Sequence, residues 1–149
     1  KVFSINTFNI VTNLFTSFGY FEEDKEEQET MNSMALNLKE NGILIIDFMN
    51  SKKVIKNLVK SEKKEINGVV FNISRNVKKN CIIKDIKFSD NGKKFHFQEK
   101  VKVLTLTDLS NLIVNSGLKI IDIFGNYQLE NFNALISERL IIICKKFSR

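Results

Sequence analysis

The sequence predicts an α/β chain: a half-sheet of parallel strands closed by a reversed terminal strand, with a three-stranded antiparallel lid inserted in it. Three observations carry that reading. Residues 8–48 read strand, helix, strand, at a spacing that suits a right-handed parallel crossover. Residues 69–104 read as three strands joined by short polar turns, the signature of hairpins. Third, Phe8–Phe21 runs from an apolar strand into an uncharged loop that offers Phe15, Phe18, Tyr20 and Phe21 beside the hydroxyls of Thr16 and Ser17. Open α/β sheets bind ligands at the carboxyl ends of their strands. The loop therefore reads as the lip of a site.

Each element has its own warrant. Residues 8–14 are apolar enough for a buried parallel strand. The acidic run Glu22–Glu27 opens a helix, where negative charge complements the positive end of the dipole. Met31, Met34, Ala35 and Leu38 then recur at the spacing of one helix face. Asn41-Gly42 is expected to stop that helix, with glycine taking the left-handed cap. Ile43–Phe48 is a strand apolar on both faces, which calls for helices on both sides. Residues 51–58 read as a short helix with Val54, Ile55 and Leu58 inward.

In the meander, strands over 69–77, 81–88 and 95–104 turn at Lys78-Lys79 and Asp90-Asn91-Gly92. Alternation gathers Phe71, Ile73, Ile86, Phe88, Phe95 and Phe97 on one face, and register keeps those faces together. That register sets Ile86 opposite Phe97 and Lys84 between Ile73 and Glu99, with Arg75 diagonal. Arg75 suits bidentate binding of a substrate carboxylate or phosphate, or a structural ion pair with Glu99. Lys84 reads as a lysine whose stem lies along apolar surface. His96 falls on the wet face. Beyond the meander, Thr107-Asp108 caps a helix with Leu109, Leu112 and Ile113 inward, and Gly117 ends it. Strands over 118–124 and 139–146 flank a loop holding Tyr127 and Phe132.

Composition narrows the function. With 149 residues, 43% hydrophobic and 27% charged, the chain fits one globular domain and argues against disorder. A net charge of +6 permits an acidic partner. Yet the lysines of residues 52–64 are interrupted by Glu62 and arginine is scarce, which argues against a nucleic-acid stripe. Cys81 and Cys144 have no metal-ligand spacing and His96 is the single histidine, which argues against a zinc site. Two reduced, buried thiols suit a cytoplasmic protein. The apolar run Gly42–Met49 contains Asp47 and falls far short of the ~20 residues a membrane helix needs.

The opening segment, with its Asn13-Leu-Phe-Thr-Ser-Phe-Gly-Tyr-Phe21 loop, resembles the fourth strand and following loop of class I S-adenosylmethionine-dependent methyltransferases, especially bacterial small-molecule-type members. Leu38-Lys-Glu-Asn-Gly-Ile-Leu-Ile-Ile-Asp47 resembles that family's Leu-Lys-Pro-Gly-Gly turn and fifth strand, with Glu40 and Asn41 where proline and the first glycine are usual. Residues 107–146 are similar to its terminal helix and reversed sixth and seventh strands. Residues 66–104 resemble the insertion that many such enzymes lay over the substrate pocket.

The resemblance implies a Rossmann-like methyltransferase half-sheet: residues 1–149 as the carboxyl-terminal part of the domain, with a lid at 66–104. It implies S-adenosylmethionine as cofactor, its methionine end lined by Thr12, Asn13, Leu14 and Phe15, and a small-molecule methyl acceptor. Phe18, Tyr20, Asn50, Arg75 and Tyr127 are the candidate substrate contacts, Phe18 being equally a core residue. No catalytic residue and no metal ligand is assigned. The glycines, at 19, 42, 68, 92, 117 and 125, never approach the glycine-rich cofactor turn. The chain by itself is thus expected to be inactive, and its first strand to need a companion segment, a partner chain or a swapped neighbour. An RNA methyltransferase and a truncated, non-catalytic partner-binding subunit are the alternatives.

Overall fold

The computed structural model describes residues 4–147. Along the chain they form β1 (Phe8–Asn13), α1 (Asp24–Asn37), β2 (Leu38–Met49), α2 (Ser51–Lys56), β3 (Ser61–Ile66), β4 (Val69–Lys78), β5 (Cys81–Asp90), β6 (Lys93–Lys102), α3 (Leu106–Asn115), β7 (Leu118–Phe124) and β8 (Arg139–Lys146). The chain divides into two compact units, one from its two ends and one spanning Val54–Val103. Among the described residues no helix is long and apolar enough to cross a membrane.

The first unit is built on a four-stranded sheet in the order β1-β2-β8-β7. β1 runs parallel to β2, whereas β8 is antiparallel to both of its neighbours, so the expected crossover and reversed terminal strand are both present. Leu44, Ile46 and Phe48 of β2 and Leu140, Ile142 and Cys144 of β8 are buried together with Met31 of α1 and Leu109 and Ile113 of α3. Both helices cover this same face, where the Gln28 amide donates to the Leu112 carbonyl at 3.1 Å. Helices on both faces were expected. Among the described residues the other face keeps Ile43, Ile45 and Ile143 only half-buried.

β1 also departs from expectation. It was expected to be buried, yet Phe8 and Ile10 are 44% and 59% exposed. The reason is topological: among the described residues β1 is an edge strand, paired with β2 alone.

The ends of α1 and α3 differ in detail from the sequence reading. α1 stops at Asn37, and β2 begins at once with Leu38. Asn41, not Gly42, takes the left-handed conformation (φ 61°). Gly42 is needed for space, because a Cβ there would lie 2.8 Å from the Lys39 carbonyl oxygen. The last turn of α1 has no basic residue. Lys146 of β8 supplies the charge instead, donating to the carbonyls of Ala35 (2.9 Å) and Leu38 (2.7 Å), where it complements the negative end of the helix dipole. The cap of α3 is Thr105 rather than Thr107, in a reciprocal capping box with Asp108.

The second unit carries a four-stranded antiparallel sheet, β3-β4-β5-β6, one strand more than expected. The additional strand, Ser61-Glu-Lys-Lys-Glu-Ile66, is exposed throughout, and its charges suit a guarded edge. Asn67-Gly68, both at positive φ, form its hairpin turn. Ile86 faces Phe97 and Lys84 faces Glu99, as expected. On the other side Lys84 faces Arg75 instead of Ile73. The first turn lies at Lys79-Asn80, both at positive φ, one residue later than expected, and this moves the register by two. A shift of two preserves faces. Phe71, Phe88 and Phe95 therefore still cluster, at 4.7 and 4.9 Å between ring centres.

The Gly42 geometry gives a stability prediction. Because the atom opposing a new Cβ is backbone, Gly42→Ala should cost about 1–3 kcal/mol, typical of overpacking. Urea denaturation checks this; an unchanged midpoint would show that the turn relaxes freely.

Candidate functional site

At the carboxyl end of β1 the chain passes through Leu14 into Phe15 (φ 56°) and Thr16 (φ 59°). Successive left-handed residues without glycine are costly, on the order of 1–3 kcal/mol each, and β-branched threonine is a poor occupant of that region. The turn is closed by the Ser17 N–H and hydroxyl, both donating to the Leu14 carbonyl, and is tied to the sheet by Asp47 near the end of β2, which is 1% exposed. Its Oδ2 accepts from the Phe15 N–H at 3.0 Å and from the Tyr127 hydroxyl at 2.9 Å. Its Oδ1 accepts from Arg139 Nε at 2.7 Å. Its backbone carbonyl accepts from the Thr16 N–H at 2.9 Å. Arg139 Nη2 closes the circuit by donating to Thr16 Oγ1 at 3.1 Å.

Burial pushes the Asp47 carboxyl up, but the Arg139 guanidinium, the Phe15 N–H and the Tyr127 hydroxyl outweigh it and hold the group below its ordinary value. The same bond raises the Tyr127 phenol above 10.0. The rings of Phe15 and Tyr127 are 76% and 60% exposed, so two residues from opposite ends of the chain are tied to one buried carboxylate and face solvent.

The other candidates fall into distinct places. Thr12 is exposed on β1, and Leu14 is partly exposed. Asn13 holds its Oδ1 buried with no hydrogen-bond partner, an acceptor waiting for a donor. Tyr20 is half exposed. Phe18 is fully buried and meets Phe21 edge-on at 6.4 Å, so it anchors the loop from beneath and offers no surface to a substrate. Asn50 is buried as well, its amide donating to the carbonyls of Ala134 (3.1 Å) and Ser137 (2.8 Å), which fastens the β7–β8 loop. In the second unit Arg75 pairs with Glu62 at 2.6 Å, not with Glu99, which takes Lys84 at 3.1 Å. Glu62 lies on the strand that the sequence reading lacked. His96, half exposed, lies 2.7 Å from Asp85. Both cysteines are free and buried, and burial pushes the Cys144 thiol up to about 12.

Sequence reasoning missed Asp47 and Arg139. The signal was present: Asp47 is the one charge in the apolar run Gly42–Met49, and a buried charge needs a partner. Among the described residues no group of His, Cys, Asp and Glu is placed to hold a metal ion.

The parallel pair, the reversed terminal hairpin and the loop after β1 at the sheet's carboxyl edge form a methyltransferase-like fold, as comparison with solved structures shows. No family model and no curated protein matches the chain. Solved structures do. The chain is similar to an S-adenosylmethionine-dependent methyltransferase from Clostridium acetobutylicum, at 18% identity and a TM-score of 0.83, over 96% of this chain and 60% of that one. It is similar to the CcbJ methyltransferase from Streptomyces caelestis, at 12% identity and a TM-score of 0.77, over 96% and 59%. It also matches SAM-bound CalS10, an amino pentose methyltransferase from Micromonospora echinaspora, at 13% identity and a TM-score of 0.65, over 94% and 58%. The chain thus spans about 60% of the length of these neighbours.

The Asp47 network has a pH signature on each side. Asp47 titrates below its ordinary value in the folded state, so its contribution to stability is complete at neutral pH. That contribution should fade as pH falls below about 4 and vanish below the folded value. Tyr127 has the opposite sign: its hydroxyl stabilises below the ordinary value and is lost as pH rises through the raised one. Ultraviolet titration of the chain's two tyrosines should show one ionising above pH 10.0 and returning to normal in Asp47→Asn. Two unperturbed tyrosines would refute the bond.

Proposed function

We propose that this chain is the carboxyl-terminal part of an S-adenosylmethionine-dependent methyltransferase that methylates a small molecule by in-line transfer. The observation that carries the reading is the exposed Phe15 ring, held out at the carboxyl tip of β1 by a buried carboxylate, in a fold shared with such enzymes. The cofactor supplies a methyl group on a sulfonium, which an acceptor's lone pair takes as the carbon–sulfur bond breaks. Thr12, Asn13, Leu14 and Phe15 line its methionine end. The π face of Phe15 attracts a cation by roughly 0.5–2 kcal/mol. Tyr20 and Tyr127 stand on the acceptor's side. Phe18 and Asn50 support these residues from below, and Arg75 remains with Glu62. An amino sugar is the acceptor class most in keeping with these neighbours, one of which carries that activity in its name.

The unpaired edge of β1 and the half-covered outer face support a further segment, bearing the glycine-rich cofactor turn, that adds a parallel strand beside β1. The same edge supports a second reading, a non-catalytic subunit that binds a partner there. Calorimetry with S-adenosylmethionine and S-adenosylhomocysteine separates them. The 149-residue chain alone should bind neither appreciably, and a polypeptide that also carries the glycine-rich segment should bind both in the micromolar range. Tight binding by the chain alone would overturn the proposed division of the site; no binding by either would favour the partner-binding subunit.

A further inference from the structure

We infer that Asp47 is a positioning residue that locks Phe15 and Tyr127 into one rigid aromatic rim, although it touches neither cofactor nor acceptor itself. The inference rests on the reading of the β1 tip as the cofactor wall. The argument begins with what the carboxylate has left to offer. It is 1% exposed, and its two oxygens accept from Arg139, the Phe15 N–H and the Tyr127 hydroxyl. At 1% exposure, with three donors on it and a guanidinium beside it, the carboxylate is out of reach of an amine or hydroxyl, so general-base work falls elsewhere.

What Asp47 does control is backbone shape. Phe15 and Thr16 occupy the left-handed region, and the N–H of each is aimed at Asp47, one at the side chain and one at the carbonyl. The Ser17 N–H and hydroxyl close the turn on the Leu14 carbonyl, and the Asp47 acceptors fix that turn to the end of β2; without the carboxylate the Phe15 backbone loses its tie to the sheet. Arg139 fixes the second left-handed residue through Thr16 Oγ1 and fixes the carboxylate through Oδ1. Tyr127 comes from the loop after β7, more than a hundred residues away in sequence, and shares Oδ2 with Phe15. Movement of the Phe15 backbone or of the Tyr127 hydroxyl therefore perturbs the other's anchor. Prior ordering of a binding wall lowers the entropic cost of binding.

Hydrogen exchange in the full-length protein tests this without any ligand. In Asp47→Asn the Phe15 amide, which loses its carboxylate acceptor, should exchange at least tenfold faster relative to those of Leu44 and Ile142 in the core, and the Thr16 amide, whose acceptor is the retained backbone carbonyl, by less. Uniform acceleration of all four, or none, would overturn the positioning role. Should Asp47→Asn fail to fold, the isosteric Thr16→Val removes the Arg139 bond alone, and the Thr16 amide should then exchange severalfold faster; unchanged exchange would again overturn it. In a steady-state assay Asp47→Asn should raise KM for S-adenosylmethionine about tenfold with a much smaller change in kcat; a pure kcat loss would argue for a catalytic role instead. Failure of the wild type to bind S-adenosylmethionine would refute the cofactor reading and leave the exchange result to decide the clamp independently.

Discussion

The structure of the first unit depends on one buried carboxylate. A charge taken out of water costs several kcal/mol, even after relaxation, unless good hydrogen bonds and an opposite charge offset it. Asp47 has both, in Arg139 and two further donors, so the network is stable only as a whole. Removal of Arg139 would strand the carboxylate, a loss typically of about 3–5 kcal/mol, and removal of the carboxylate would release the strained loop. The interaction joins the end of β1, the end of β2, the β7–β8 loop and the start of β8, which is to say every strand terminus at that edge of the sheet.

The arrangement explains how so exposed a strand stays in place. β1 buries little apolar surface and, among the described residues, pairs on one side only. Its ladder to β2 fixes its direction, but the hydrophobic term that holds β2 and β8 is largely missing from it. The bonds from Asp47 to Phe15 and Thr16 pin its carboxyl end, while at the other end the amides of Asn6 and Thr7 donate to the carbonyls of Leu36 and Asn37 at the foot of α1. β1 is thus stapled at both ends and open along its length.

Much of this was legible in the sequence, for reasons that can be named. Apolar runs and turn residues located β1, β2, α3, β7 and β8, because burial and loop chemistry leave strong local marks. β3 was not legible, because a charged edge strand carries no apolar alternation; its only local trace is Asn67-Gly68. The one-residue misplacement of the Lys79-Asn80 turn has the same origin, since nothing local distinguishes which pair in Lys78-Lys79-Asn80 will take positive φ, and the asparagine decides it. At the site, the aromatic loop was visible but its internal division was not. Phe15 and Phe18 are chemically alike, and only the left-handed backbone at residues 15 and 16 turns one outward while the other packs inward.

That division illustrates a general asymmetry between core and rim. A ring such as Phe18 reaches its place by the hydrophobic effect alone, which is non-directional and tolerant of small errors. A ring such as Phe15 gains nothing from exposure and must be held out by directional bonds against backbone preference. Exposed aromatics held at such local cost are informative because folding by itself would have hidden them. Phe15 is in that condition, and the exposed Tyr127 is fastened through its hydroxyl to the same carboxylate. Sequence pattern finds the apolar residues. Only the polar group beneath them tells which ones the molecule keeps at its surface.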